Sequence, residues 1–197
     1  MGQLTLTPQT ELQAVNAMLR AIGESPVNTI SGTTTTDVAI AIQTLTSINR
    51  RVQSKGWHFN TDYNVVLDID NSGNIPLGTT IASVYSPSND VAMRNQKLYD
   101  RVNRTFTFTR SIQDAVTITI LEFENLPEVA REYITQIAKK EYQQEIIGQF
   151  TANQENTQSE MDAWSNLIDD EAARSGVNMA TGTGQMFNAV RRNRLRV

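Results

Sequence analysis

Glu122 and Glu124 flank Phe123, and Asp169-Asp170-Glu171 makes a second run of carboxylates. Paired carboxylates hydrolyse glycosides when one is held protonated and its partner stays ionised. A regular strand would put Glu122 and Glu124 on one face, but that alone raises neither pKa. No aromatic sugar groove accompanies either run, so solvated charge is the default reading of both. Asp68-Ile69-Asp70-Asn71-Ser72-Gly73 has the opening of a calcium loop, with Gly at the sixth place. Thr79 stands where the bidentate Glu belongs and the flanks read as strands, so a hairpin turn is the better reading. His58 is the sole histidine and there is no cysteine. Thiol chemistry, disulfides and Cys-based or multi-His metal sites within one chain are thereby excluded. No cofactor or metal is expected, and the chain reads as a non-enzyme.

Charge is unevenly distributed. There are 17 basic and 21 acidic residues in 197, a net of −4. Arg191, Arg192, Arg194 and Arg196 lie within seven positions; without these four, 13 basic residues face 21 acidic, a body at −8 carrying an arm at +4. Such a body repels DNA, which makes a nucleic-acid-binding accessory role the weakest functional reading. The arginine cluster suits phosphates or an acidic protein partner, against a default of a solvated tail. No apolar run approaches the roughly 20 residues that span a bilayer. The basic-then-apolar order of a signal peptide is missing from residues 1–10, so synthesis in a cytoplasm is expected.

Four helices and a β unit must position these groups. Thr7-Pro8, or alternatively Thr10 with Gln13, caps a first helix whose stripe is Leu12, Val15, Met18, Leu19 and Ile22. Gly23 suits a left-handed cap and Pro26 blocks continuation. Asp37 opens a second helix with Val38, Ala41, Ile42, Leu45, Ile48 and Val52 on one face, and Gly56 ends it. From residue 57 the period changes to two. Residues 105–109 and 116–120 alternate strictly, and 63–67, 81–85 and 97–102 are shorter strand candidates. Pro127-Glu128 starts a third helix (Ala130, Ile134, Ile137, Ala138, Ile146) that stops at Gly148. A fourth spans about residues 152–175, with Met161, Trp164, Leu167, Ile168 and Ala172 as its stripe. One-faced helices must bury their stripes together. The expected fold is therefore α+β: a four-helix bundle (residues 1–56 and 126–176), an inserted antiparallel β unit (57–125) and a flexible basic C-terminal arm (177–197).

Three strings carry a resemblance. They are Glu11-Leu12 with Ala14-Val15-Asn16, Ile22-Gly23-Glu24 and Pro26-Val27; Ile48-Asn49-Arg50 with Gln53-Ser54-Lys55-Gly56-Trp57 and Phe59-Asn60; and Leu126-Pro127-Glu128 leading into Arg131, Tyr133-Ile134, Ala138 and Gly148. In this order the chain resembles the tail tubular protein A family, the adaptor or gatekeeper proteins of short-tailed, autographivirus-type phages. The resemblance implies a twelve-fold ring between the portal protein and the tail nozzle protein, at the portal vertex of the virion. Such a ring extends the DNA channel, helps retain the genome and passes it without specific binding, with no membrane partner. Arg191, Arg192, Arg194 and Arg196 are the expected portal contacts. Gly23, Pro26, Gly56, Trp57 and Phe59 are expected structural determinants, the two aromatics plugging the seam between bundle and sheet. The rival reading is a tail-associated glycan hydrolase using Glu122 and Glu124.

Overall fold

The computed structural model describes residues 7–32, 35–148 and 153–174. The chain divides into two compact units. One holds the described residues of Met1–Ile48 and Leu126–Val197, the other Asn49–Asn125.

In the first unit, α1 (Glu11–Ala21) takes the second of its two possible caps. Thr10 Oγ1 accepts the Gln13 N–H at 3.3 Å, and Gln13 Oε1 accepts the Thr10 N–H at 3.0 Å, a complete capping box. At the other end the Gly23 N–H donates to Arg20 O and the Glu24 N–H to Leu19 O, with Gly23 at φ +87°. This Schellman pairing satisfies carbonyls that the helix end would leave bare. The Asn16 side chain then fixes the exit: Oδ1 accepts the Val27 N–H at 2.7 Å and Nδ2 donates to Val27 O at 2.9 Å. In α2 (Thr36–Gln53), Val38, Ala41, Leu45, Ile48 and Val52 are buried.

α3 (Glu128–Ile147) packs against both α1 and α4 (Asn153–Arg174), and Tyr142 Oη donates to Asp37 O at the start of α2, 3.1 Å away. Partners on several sides explain its broad buried face, which includes Arg131, Tyr133, Thr135 and Tyr142 beyond the expected aliphatic stripe. It ends at Gly148 in the left-handed conformation. The α4 stripe differs from expectation. Ala163, Leu167 and Glu171 are buried, whereas Met161 is 59% exposed and Ala172 is also exposed. Trp164 lies 5.1 Å from Tyr133, and Lys140 pairs with Glu160 at 2.7 Å. These contacts set the helix rotation, and Met161 lies ~200° around the helix from Ala163. Ile146 of α3, expected in its stripe, is 40% exposed in the last turn.

In the second unit, β1 (Thr61–Leu67), β5 (Ile112–Thr119) and β2 (Ile81–Tyr85) form an antiparallel sheet in the order β1-β5-β2. β3 (Val91–Arg94) and β4 (Lys97–Asp100) form a separate hairpin. Its two-residue turn, Asn95-Gln96, has φ of +50° and +55° at both positions, the geometry whose twist matches paired strands. Leu67, Ile75, Leu77, Val84, Leu98, Ile112 and Ala115 form the core here, with Val65, Ile81, Val91, Met93 and Phe108 against it.

Residues 105–109 do not form a strand, despite strict alternation. The Asp100 carboxylate accepts the Val102 and Asn103 N–H groups, turning the chain, and Arg104 adopts φ +55°. The Phe108 N–H donates to Gly73 O in the turn after β1. The aromatics are still used: Phe106 meets Tyr99 edge-on at 4.9 Å and Phe108 packs on the core. Local carboxylate–backbone bonds have displaced the ladder. The fifth strand is instead β3, whose short Val-Ala-Met-Arg sequence shows no alternation.

Gly56 has φ +78°, and an added Cβ would sit 2.7 Å from Ile118 Cδ1. Gly23 has open space within 4 Å. Urea unfolding is expected to show Gly23→Ala costing about 1–2 kcal/mol from left-handed strain, and Gly56→Ala about 2–4 kcal/mol because crowding adds to it.

Candidate functional site

The carboxylate pair does not assemble as regular-strand alternation would have it. β5 ends at Thr119, and residues 123–125 form a turn of 3₁₀-helix in which the Asn125 N–H donates to Glu122 O. Glu122 and Glu124 are both exposed around a buried Phe123. In the second run, Asp170 pairs with Arg174 one helical turn on, at 2.6 Å, and Glu171 is buried.

The calcium-like loop is a closed hairpin turn. Asp70 Oδ1 accepts the Ser72 N–H at 2.8 Å and the Asn74 N–H at 2.9 Å, while Asp68 Oδ1 accepts the Ser111 hydroxyl. Those amides, Asn74 first and then Ser72, hold the Asp70 carboxyl below its ordinary value. Among the described residues no group of three or more His, Asp or Glu side chains is placed to hold a metal ion. His58 is half-buried, edge-on to Phe59 at 5.4 Å.

What the structure brings together is a set of buried amides. Asn49 and Gln53, four apart on the last turns of α2, both reach the backbone of Leu121. Gln53 Oε1 accepts the Leu121 N–H at 2.8 Å; Gln53 Nε2 donates to Leu121 O at 2.9 Å and to Asn49 Oδ1 at 2.8 Å. Asn49 Nδ2 adds a longer bond to Leu121 O. Asn60 completes the set. Its Nδ2 donates to Gln53 O and Thr119 O, each at 3.0 Å, and its Oδ1 accepts the Trp57 N–H at 2.8 Å. The Trp57 indole donates to Val52 O, and its ring lies parallel to Phe59 with centroids 6.4 Å apart. Gln53 has no exposed surface, so its amide is usable only because each group is matched.

Arg131 forms a second hub. Nε donates to Leu126 O and Nη1 to Gln9 O, while the Gln9 N–H donates to the Glu128 carboxylate. The segment entering α1 is thereby tied to the first turn of α3.

Sequence reasoning missed these roles, although one mark was visible. Asn49 and Gln53 interrupt an apolar stripe at the spacing of one turn, and a polar residue inside such a stripe is buried with a partner. The hub residues also recur within the three resemblance strings: Asn16 in the first, Asn49, Gln53, Trp57 and Asn60 in the second, Arg131 in the third. The family model for tail tubular proteins matches residues 12–177, through both units. The chain belongs to the tail tubular protein family. No curated protein matches it. As a tail tubular protein it is a structural component of a phage tail, located in the virion tail and assembled with other tail components. No described helix of this tail tubular protein is long and apolar enough to cross a membrane.

For a structural component, surface matters more than clefts. In this tail tubular protein β1 is an edge strand, bulged at Asn64 (φ +56°), with Tyr63 and Val66 each about half exposed. Val102, at the turn that Asp100 fixes, is 71% exposed. Pro26 lies on the exposed turn that Asn16 anchors. Arg191, Arg192, Arg194 and Arg196 fall outside the described residues, as does the whole 177–197 arm.

Gln53→Leu is expected to cost about 2–4 kcal/mol in urea unfolding, since it strands buried donors and acceptors, while Gln113→Leu on exposed β5 surface changes little, about 0.5 kcal/mol or less. Acid is expected to act through Asp70, Asp100 and Asp114. Backbone and side-chain donors, led by Asn103 for Asp100 and by Ser88 then Ser86 for Asp114, depress each folded-state pKa below the ordinary 3.8. Their contribution is fully present above 3.8 and lost as pH falls through the depressed values. Urea midpoints measured from pH 5 downward should therefore drop below pH 3.8, and less steeply in Asp114→Asn.

Proposed function

We propose that this chain is the adaptor ring of a short-tailed phage, seated between portal and nozzle. Twelve copies extend the DNA channel, help retain the packaged genome and let it pass without binding it. The observation that carries this reading is the family match across residues 12–177. Charge supports it: the body without its four clustered arginines stands at −8, a wall that does not adhere to passing DNA. In this reading α1–α4 form one bundle (residues 1–56 and 126–176), residues 57–125 are its β insertion and 177–197 its arm. Gly23, Pro26, Gly56, Trp57 and Phe59 keep that frame in shape. Arg191, Arg192, Arg194 and Arg196 reach acidic residues on the portal, where guanidinium forks bind carboxylates bidentately. Loops of the β unit, with Val102 foremost, meet the nozzle.

The test is co-sedimentation and negative-stain imaging with the portal ring of the same phage. A twelve-fold collar on the portal is expected, and truncation after Gly176 should weaken attachment by about ten-fold or more while the circular dichroism spectrum stays that of a folded chain. No association at any salt concentration would overturn the adaptor role. Equal attachment of full-length and truncated chains would overturn the arginine assignment alone.

A further inference from the structure

α2 and α3 leave an open groove between them in the first unit. Its α2 wall is Ile40, Gln43, Thr44 and Ser47, spaced along one helical face; its α3 wall carries Glu141, Gln144 and Glu145. The space is about 510 Å³, enough for several side chains. Among the described residues the lining is carboxylate, amide and hydroxyl, with Ile40 and Ile48 as the apolar part. The negative field extends beyond the groove. Tyr142, beside it on α3, has its phenol pKa raised by burial first, then by the carboxylates of Asp37, Glu24 and Glu145. One hydroxyl thus senses three anions, Asp37 from α2, Glu24 from the turn after α1 and Glu145 from α3 itself. Glu160, which also lies against α3, is paired with Lys140.

A basic segment fits such a groove, and this chain supplies one. Residues 175–197 contain four arginines and no carboxylate side chain. They follow Arg174 at the end of α4, which packs on α3. Residues 175–190, 16 positions, span up to about 55 Å when extended. Travelling back along α3 from its first turn to residue 143 takes only ~22 Å. The reach is ample. We infer that the α2–α3 groove is a docking site for the Arg191–Arg196 segment of the same chain, with guanidinium groups on Glu141 and Glu145 and further N–H bonds to Gln43, Thr44 and Ser47. The contact is independent of the portal reading; arginines held here are the same ones an acidic partner would compete for.

The absence of cysteine makes a clean test in the full-length chain. Ser47→Cys with Asn193→Cys places one thiol on the groove rim and one in the segment; Ser165→Cys with Asn193→Cys is the control, on the exposed side of α4. Under mild oxidation the groove pair is expected to form its intramolecular disulfide about ten-fold faster than the control pair, read on non-reducing gels. Glu141→Gln with Glu145→Lys should remove that advantage. So should 1 M salt, where the screening length is about 3 Å, which gives the same answer without altering the acidic residues. Reversing the arm (Arg191, Arg192, Arg194 and Arg196 each to Glu) in a background carrying both Glu141→Lys and Glu145→Lys should restore it. Equal rates for the two pairs, disulfides formed only between molecules, or a groove rate indifferent to charge and salt would overturn the assignment.

Discussion

The second unit hangs on one side chain. Gln53 sits at the end of α2, fully buried, and its amide bonds both the N–H and the C=O of Leu121. Residues 68 apart in sequence are thereby held as a strand would hold its neighbour. Asn60 repeats the device on Thr119, and Asn49 braces Gln53. A unit that leaves and re-enters a chain must have its two ends brought together. Here amide side chains do that, beside one backbone bond from the Thr119 N–H to Asn60 O. The arrangement tolerates little change, since losing any member leaves the others buried with unmatched groups.

Much of the frame was legible because it is written in local chemistry. Thr10 with Gln13, Gly23, Pro127 and Gly148 stop and start helices through bonds to residues three to five positions away, so their roles appear in any short window. β2 was legible as a short run standing between turn-forming clusters. Misreadings arose where distant groups decide. The Thr-Phe alternation of 105–109 is ideal for a strand, yet Asp100 and Gly73 take its neighbouring backbone bonds first. The α4 stripe was misjudged because Trp164 on Tyr133 and Lys140 on Glu160 choose the rotation, and neither partner lies within the helix.

The family match runs across residues 12–177, and the residues that carry the resemblance do not make an active site. The strings that resemble the family contain the hub amides, Trp57 and Arg131, each bound to backbone rather than aimed at a cleft. In a structural protein that is where sequence constraint is expected to concentrate: on the bonds that keep a surface in shape. The carboxylates, by contrast, are spread. Glu122 and Glu124 flank a buried ring, Asp70 and Asp100 close their own turns, and Asp114 reaches from β5 to the Ser86–Ser88 turn after β2.

Arg131 reaches back 122 residues to Gln9, and Glu128 reaches 119 to the same residue. On a ribosome adding about 5–20 residues per second, α1 therefore waits some 6–24 s for the helix that covers it. The whole Asn49–Asn125 unit emerges during that interval. Chain order thus makes α1 wait for α3, with the whole β unit made in between. Any pause in translation between α2 and α3 lengthens the life of an uncovered Val15–Met18–Leu19 face, and holdase chaperones would find their substrate there.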